Sequence, residues 1–410
     1  MKKLKIVIIG AGVAGAILAR RLARLPQVEL HCLEKVEPED HSEAGTGLNV
    51  GPNAIKALQQ CDAELAAQVC AQSLPWASWR TSLSDGTVLF DLPLESVADN
   101  AGIRIRWSEL YDVLRAGAQG VIQYGCEITS IAPSASDPLR SSVSWTQRGV
   151  QHRLDEIDLL VGVDGRYSAT RSAFSGLPPP RHVGVAIVRT LVEDTSGGLI
   201  DDYEQWFNGP HRLLAFRVPP GHVYIAATFP IAQGEQIHEE WKTEAVMRAT
   251  YAPAGGQPCA QVRWLLDAMC ANLADSHWAR MQESEVLFAE ARRQVMYLGD
   301  SAHGMAPTLG QGATQAIEDA CCAALIIERE AAAGRLAPRG WLDLVAVART
   351  ERIRFAMELS VQATDTLLQG ADPVSGAHWK TEPPFLDQLS RLFRQVALGQ
   401  RMPAETGTQA

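Results

Sequence analysis

The stretch that most constrains this chain is Gly10-Ala11-Gly12-Val13-Ala14-Gly15, set between an apolar run and a helical pattern. Leu4 to Ile9 is rich in β-branched residues and reads as a buried strand. Ile17 to Leu25 reads as a helix broken by Arg20, Arg21 and Arg24, and Val28 to Leu33 as a second strand ending in Glu34. Strand, glycine loop, helix and strand in this order form a dinucleotide fingerprint. Gly10 permits the tight turn, Gly12 lets a pyrophosphate approach the backbone, and Gly15 lets the helix pack on the strand. The helix N-terminus offers free N–H groups and partial positive charge to the phosphates. Glu34, 19 residues after Gly15, stands where a carboxylate can accept the ribose hydroxyls of an adenosine. The loop by itself leaves NAD and FAD equally open.

A basic Met1-Lys2-Lys3 followed by apolar residues also fits a secretory leader. Cleavage near Ala19 would destroy the βαβ unit, so a cytoplasmic protein is expected. The 410 residues suffice for about two or three domains and a substantial core. A net charge of −10 argues against nucleic acid or an anionic membrane as a general partner. No apolar run is long enough for a membrane span. Eight cysteines without paired metal-ligand spacing, including the vicinal Cys321-Cys322, read as free thiols in a reducing compartment, and no metal site is expected.

Pro38 to Ser42 reads as a loop, and Ala44 to Asn53 as a glycine-rich turn entering a helix, Ala54 to Leu58. Pro75 to Phe90 alternates around Asp85-Gly86, a hairpin signal. Leu110 to Ala118 reads as a helix, Val121 to Ile131 as one strand, and Ser141 to Leu154 as a hairpin around Arg148-Gly149. Leu159 to Gly165 repeats the opening logic: an apolar strand ends in Asp164-Gly165 and a helix follows from Ser168. Between Val183 and Pro230 alternating stretches and turns indicate an antiparallel sheet. Helices return from Trp241 to Met281, then a strand, Gln294 to Leu298, and long helices over Ala313 to Ala333 and Trp341 to Leu368. The tail after Pro403 reads as disordered. The expected fold class is α/β: a Rossmann-type FAD-binding domain in two parts, 1–174 and 287–410 (the latter with C-terminal helices), around a β-sheet substrate domain, 175–286.

The return of strand–glycine–helix texture near residue 300 separates the two cofactors. An NAD domain needs no distant completion, whereas FAD is long enough for a second segment to hold its flavin end. Tyr297 to His303, then Pro307 and Gly310-Gln311-Gly312-Ala313, ending in Glu318-Asp319-Ala320, supply that anchor. Asp300 ends a strand where its carboxylate can accept ribityl hydroxyls, and Gly310 and Gly312 admit a flat ring against the backbone. The helix from Ala313 aims its dipole at that ring, favouring the negative charge of a reduced flavin.

With three motifs in this order the chain resembles the class A FAD-dependent aromatic hydroxylases of the p-hydroxybenzoate hydroxylase type. They are Gly10 to Gly15 with Glu34, Asp158 to Arg171 around Asp164-Gly165, and Gly299-Asp300 through Asp319. The resemblance runs to about residue 365. It puts FAD contacts at Gly10, Gly12, Val13, Ala14, Gly15, Glu34, Lys35, Gly47, Leu48, Arg106, Asp164, Gly165, Gly299, Asp300, Pro307, Gly310, Gln311, Gly312 and Ala313. In this family the middle motif also serves the nicotinamide cofactor, which falls on Asp164, Gly165 and Arg171. Trp107 stands where the family usually has arginine, with Arg106 one earlier, and Thr314 replaces a frequent asparagine.

The chemistry this implies is reduction of FAD by NADH or NADPH, addition of O2 at flavin C4a, and attack of the resulting hydroperoxide on an electron-rich ring. No side chain is expected to act covalently. Among family members the middle strands and Trp76 to Trp79 most resemble the oxygenases of pyridine-ring acids. There the positions of Arg212, Tyr224 and Trp76 face the substrate: a carboxylate grip, a ring-hydroxyl hydrogen bond and a stacking surface. Pro307 is expected against the substrate as well as the flavin, and His303 as structural or flavin-adjacent. The expectation is a monomeric or homodimeric hydroxylase of a small aromatic or N-heteroaromatic acid. A flavin-dependent halogenase is disfavoured by the Trp76/Trp79 spacing and the lack of lysine between Lys56 and Lys242. A non-oxygenating flavin reductase or dehydrogenase and a non-catalytic nucleotide-binding module are the other readings.

Overall fold

The computed structural model describes residues 3–38, 46–118 and 120–399. The tail after Pro403, most of the expected loop at Pro38 to Ser42, and Ala44-Gly45 lie outside these residues. A six-stranded sheet runs in the order Ala289–Glu290, Val295–Tyr297, Leu159–Gly162, Leu4–Ile9, Val28–Leu33, Ile122–Gln123. All neighbours are parallel except the first pair. Leu4–Ile9 is central, with its sequence successor on one side and Leu159–Gly162 on the other, so the strand order reverses beside it. Ligands bind at such a switch point, off the carboxyl ends of the strands. Gly10, Val163 and Leu298 leave the sheet there together.

The helix Val13–Leu22 begins four residues before the apolar periodicity suggested, because Gly15 belongs inside it. A Cβ on Gly15 would lie 2.1 Å from Gly10 O, so only glycine allows helix and loop to touch. Similarly, Pro52–Cys61, Trp107–Ala116 and Gln311–Ala332 begin two or three residues before the expected starts at Ala54, Leu110 and Ala313. The expected single strand Val121 to Ile131 is two, Ile122–Gln123 in the six-stranded sheet and Cys126–Pro133 in a separate three-stranded sheet, broken at Gly125 (φ +67°). That separate sheet is completed by the hairpin of Ser141–Gln147 and Val150–Ile157.

The second large sheet has seven strands in the order His277–Glu283, Arg181–Glu193, His222–Pro230, His211–Val218, Tyr203–Asn208, Ser78–Leu83, Val88–Pro93. The last two, expected inside the first 174 residues, pair instead with this sheet, Ser78–Leu83 running parallel to Tyr203–Asn208. The boundary of the substrate sheet is therefore discontinuous in sequence. One face packs on the C-terminal helices around Phe385, Leu389 and Phe393, the other on the helices Glu244–Tyr251 and Ala260–Ala271. The small sheet of Gly47–Val50, Gly102–Arg106 and Leu74–Trp76 bridges the two large ones.

Candidate active site

Between the carboxyl edge of the six-stranded sheet and the seven-stranded sheet lies a cleft of about 340 Å³, within the usual range for small-molecule sites. One wall is nucleotide-like: Gly12, Val13 and Ala14 from the first loop, Gly165 and Arg166 from the second, Gly299 and Asp300 from the third. Gly310, Gly312 and Ala313 close it from the start of Gln311–Ala332, with Pro307 beside them and Gly47, Leu48 and Asn49 opposite. The other wall is the seven-stranded sheet, presenting Arg189, Arg212, Tyr203, Tyr224, Leu214 and Ala226.

The glycines divide by what faces them. At Gly10 a Cβ would meet Val163 O at 2.6 Å, and at Gly47 Tyr224 Cβ at 2.8 Å, so these glycines serve the protein's own packing. Gly12 has only Tyr111 Oη at 4.0 Å, and Gly165 and Gly312 have nothing within 4 Å. Their missing side chains leave cleft space that the fold does not need. Val13–Leu22 and Gln311–Ala332 both start without a side-chain cap, their free N–H groups at the cleft. An adenosine diphosphate at the first helix and a flat ring at the second fit this cradle, and Asp300 lines the same cleft.

The third loop is held by a buried polar network. Asp319 accepts from Gly299 N (2.9 Å), His303 Nε2 (2.6 Å) and Arg349 Nε (2.8 Å). Glu318 accepts from Arg349 Nη1 (2.7 Å), Arg352 Nη2 (3.0 Å) and Asn53 Nδ2 (2.5 Å). Burial opposes ionisation of both acids, yet the charges beside them hold each carboxyl at about 2: His303 and Arg349 for Asp319, Arg352 and Arg349 for Glu318. His303 is thus the structural residue expected. Thr314 Oγ1 accepts from Gly51 N (2.8 Å) and donates to Gly310 O (2.8 Å), joining the starts of two helices.

Several expected contacts lie elsewhere. Trp76 does not line the cleft; it is buried against Tyr203 (5.4 Å) and Phe393 (6.0 Å), with its indole N–H donated to Ser78 O. Tyr203 takes the wall in front of it. Arg106 lies off the cleft beside Glu109 (3.7 Å), and Trp107 and Tyr111 line it instead. The Gln311 side chain turns inward to Asn53 and Gln315. Asp164 accepts from Ser168 Oγ (2.5 Å) and Thr170 N (3.0 Å), bracing its own loop, while burial pushes its pKa up. Arg171 donates to Ser301 O, Ala302 O and Glu285 O, tying the second motif to the third. Lys35 is exposed and outside the cleft. Glu34 accepts from Ala11 N (2.5 Å) and Val36 N (3.1 Å) beside Arg115, fixing the loop that faces the adenosine end.

Arg212 and Tyr224 do reach the cleft. Arg212 is 3 % exposed, its Nε has no hydrogen-bond partner, and burial pushes its pKa down. The sequence reading passed over Arg189, Arg166, Tyr203 and Trp107. A strand's alternation marks which face a residue takes but not that the face borders a ligand, and Trp107 was noticed only as a departure.

Such a fold and cleft define a Rossmann-type flavoprotein with a sheet-built second compartment. No established family profile matches the chain. Salicylate hydroxylase of Pseudomonas putida is 28 % identical over 92 % of this chain and 88 % of its own length. The 2-heptyl-3-hydroxy-4(1H)-quinolone synthase of Pseudomonas aeruginosa is 28 % identical over 77 % and 78 %. Among solved structures, Klebsiella pneumoniae HpxO complexed with FAD and uric acid superposes with a TM-score of 0.76 at 19 % identity, covering 95 % of this chain and 96 % of that one. The 2-methyl-3-hydroxypyridine-5-carboxylic acid oxygenase gives 0.73 at 18 %, covering 98 % and 100 %. The chain is an FAD-dependent monooxygenase similar to the class A flavin hydroxylases. No helix among the described residues is long and apolar enough to cross a membrane.

Proposed function

We propose that this monooxygenase hydroxylates a small aromatic or N-heteroaromatic acid, using NADH or NADPH and O2, with Arg212 gripping the substrate carboxylate. The observation that carries this is Arg212 itself: a guanidinium with a buried, unpartnered Nε on the cleft wall, with no acid in ion-pair range among the described residues. A buried cation is costly unless paired, and a bidentate carboxylate supplies both charge and acceptors. The relatives support the class, since salicylate hydroxylase is named for an aromatic acid. The solved oxygenase of a pyridine carboxylic acid carries the heteroaromatic alternative.

FAD, when bound, supplies the redox and oxygen-transfer chemistry. Gly12, Val13 and Ala14 would hold its phosphates, Asp300 its ribityl chain, and the backbone of Gly310 to Ala313 its ring, with Pro307 lining the same cleft. Glu34 orders the adenosine end through Ala11 rather than by lining the cleft. Tyr224 hydrogen-bonds a ring hydroxyl of the substrate; its phenol is pushed up by burial and pulled back by Arg189 and Arg212. Leu214, Phe216 and Ala226 keep water from the reacting edge. Eight free cysteines, five of them buried, support a reducing cytoplasmic setting.

The test is NAD(P)H oxidation screened against hydroxybenzoates and hydroxypyridine carboxylates, with product identified by mass. A product heavier by one oxygen supports the reading. Substrate-stimulated NAD(P)H consumption without such a product for any acid would make this a non-oxygenating reductase.

A further inference from the structure

The cleft has positive charge on its sheet wall as well as on its nucleotide wall. Three arginines line it, Arg166, Arg189 and Arg212, against one carboxylate, Asp300, in a chain whose net charge is −10. Arg166 stands beside Gly165 and Gly304 on the nucleotide wall. Arg189 does not. It lies on Arg181–Glu193, on the sheet wall with Arg212.

The register fixes their relation. Arg189 is opposite Ala226, and Ala226 is opposite Leu214. Arg212 is on the same strand as Leu214, two residues away, so all four side chains take one face. The two arginine Cα atoms are separated by two strand spacings and two residues, about 12 Å. Between them the sheet presents Ala226, the smallest side chain on this part of the wall, and so a depression floored by a methyl group. Nε of Arg189, like that of Arg212, is buried with no hydrogen-bond partner, and no acid in ion-pair range of either occurs among the described residues. Tyr224 lines the same cleft, and both guanidinium charges act on its hydroxyl.

A lone unpaired arginine in a cleft can be met by a single carboxylate. Two on one wall, flanking a small-residue floor, need two anionic groups or leave one charge uncompensated in a partly dry site. We propose that Arg189 is a second anion-binding residue of the substrate site. The substrate is then a dianionic aromatic or N-heteroaromatic acid, its carboxylate on Arg212 and a second carboxylate or ionised hydroxyl on Arg189. This rests on the aromatic-acid reading above and sharpens it. Arg212, almost fully buried, is the deep anchor; Arg189, half-buried and one strand from the sheet edge, holds the outer end.

The experiment titrates the FAD-loaded protein with benzoate, benzene-1,3-dicarboxylate and benzene-1,4-dicarboxylate, following the change in flavin absorbance. At least one dicarboxylate binds about tenfold more tightly than benzoate, the expected size for a charge-assisted contact in a partly desolvated site. Arg189→Gln abolishes that gain and leaves benzoate affinity within about twofold, while Arg212→Gln weakens both probes by about tenfold or more. Arg189→Lys restores part of the gain. Retained flavin absorbance and an unchanged melting temperature show that each variant is folded. Dicarboxylates binding no better than benzoate to the unmodified protein would overturn the proposal. So would Arg189→Gln weakening all probes equally, or leaving the dicarboxylate gain intact. In all of those outcomes benzoate still binds and the aromatic-acid reading stands. Failure of every probe to bind the FAD-loaded protein would remove that reading, and this one with it.

Discussion

Replacing Arg349 with methionine removes the cation that faces both Glu318 and Asp319 while roughly preserving volume. All three side chains are 0 % exposed. Arg349 makes contacts of 2.8 Å to Asp319, 2.7 Å to Glu318 and 2.6 Å to Gln315. Asp319 keeps His303 and Gly299 N–H, and Glu318 keeps Arg352 and Asn53, so neither acid is wholly orphaned. Breaking a buried pair by deleting one partner costs about 3 to 5 kcal/mol, a large share of a typical stability of about 5 to 15. The assay is urea unfolding followed by tryptophan fluorescence, in which the midpoint should fall without a large change in slope. The pH response identifies the mechanism. With the cation gone, burial raises the acids' folded pKa values above their unfolded ones. The deficit relative to the unmodified protein then shrinks as pH is lowered from 7 toward 5. Because Asp319 fixes Gly299, FAD affinity should fall as well. A loss below about 1 kcal/mol at pH 7, or a deficit that does not depend on pH, would refute the reasoning.

The glycine loop separates packing from ligand binding. Gly15→Ala puts a Cβ 2.1 Å from Gly10 O and should destabilise by about 1 to 3 kcal/mol or more, read as a lowered melting temperature. Gly12→Ala meets nothing closer than 4.0 Å, so stability should change by less than about 1 kcal/mol while FAD affinity drops about tenfold, read by fluorescence titration. Acid should unfold the protein through the same buried acids. Their folded values near 2 lie below ordinary carboxyl values, so the stability they contribute is complete above about pH 5. It is lost as pH falls toward 2, about 2 to 3 kcal/mol for each acid, measurable as melting temperature against pH.

Local physics made the nucleotide half legible. A βαβ unit is written in contiguous residues, and Gly15 answers a contact with Gly10 O only five residues away. The place of Asp300 on the cleft was legible for the same reason, since it follows a short buried strand, Val295–Tyr297. Trp76 was not. Its indole would have suited either a ligand wall or a core, and only pairing with residues far along the chain put Tyr203 in front of it. The parallel pairing of Ser78–Leu83 with Tyr203–Asn208 leaves no signature in either segment. Glu318 and Asp319 sit in an apolar helix whose pattern gives no hint that Arg349 will meet them. Asp164 has the residue type of a ligand contact but is consumed by Ser168 and Thr170, four and six residues on.

The central claim is that one FAD spans the cleft from the Gly12 loop to Asp300. Its most direct test compares dissociation constants of the apoprotein for FAD, FMN and ADP, each also measured with Asp300→Ala. A ligand held at both ends should bind at least about a hundredfold more tightly than either fragment, and Asp300→Ala should weaken FAD and FMN while sparing ADP. FMN binding as tightly as FAD, or Asp300→Ala leaving FAD affinity unchanged, would contradict the account.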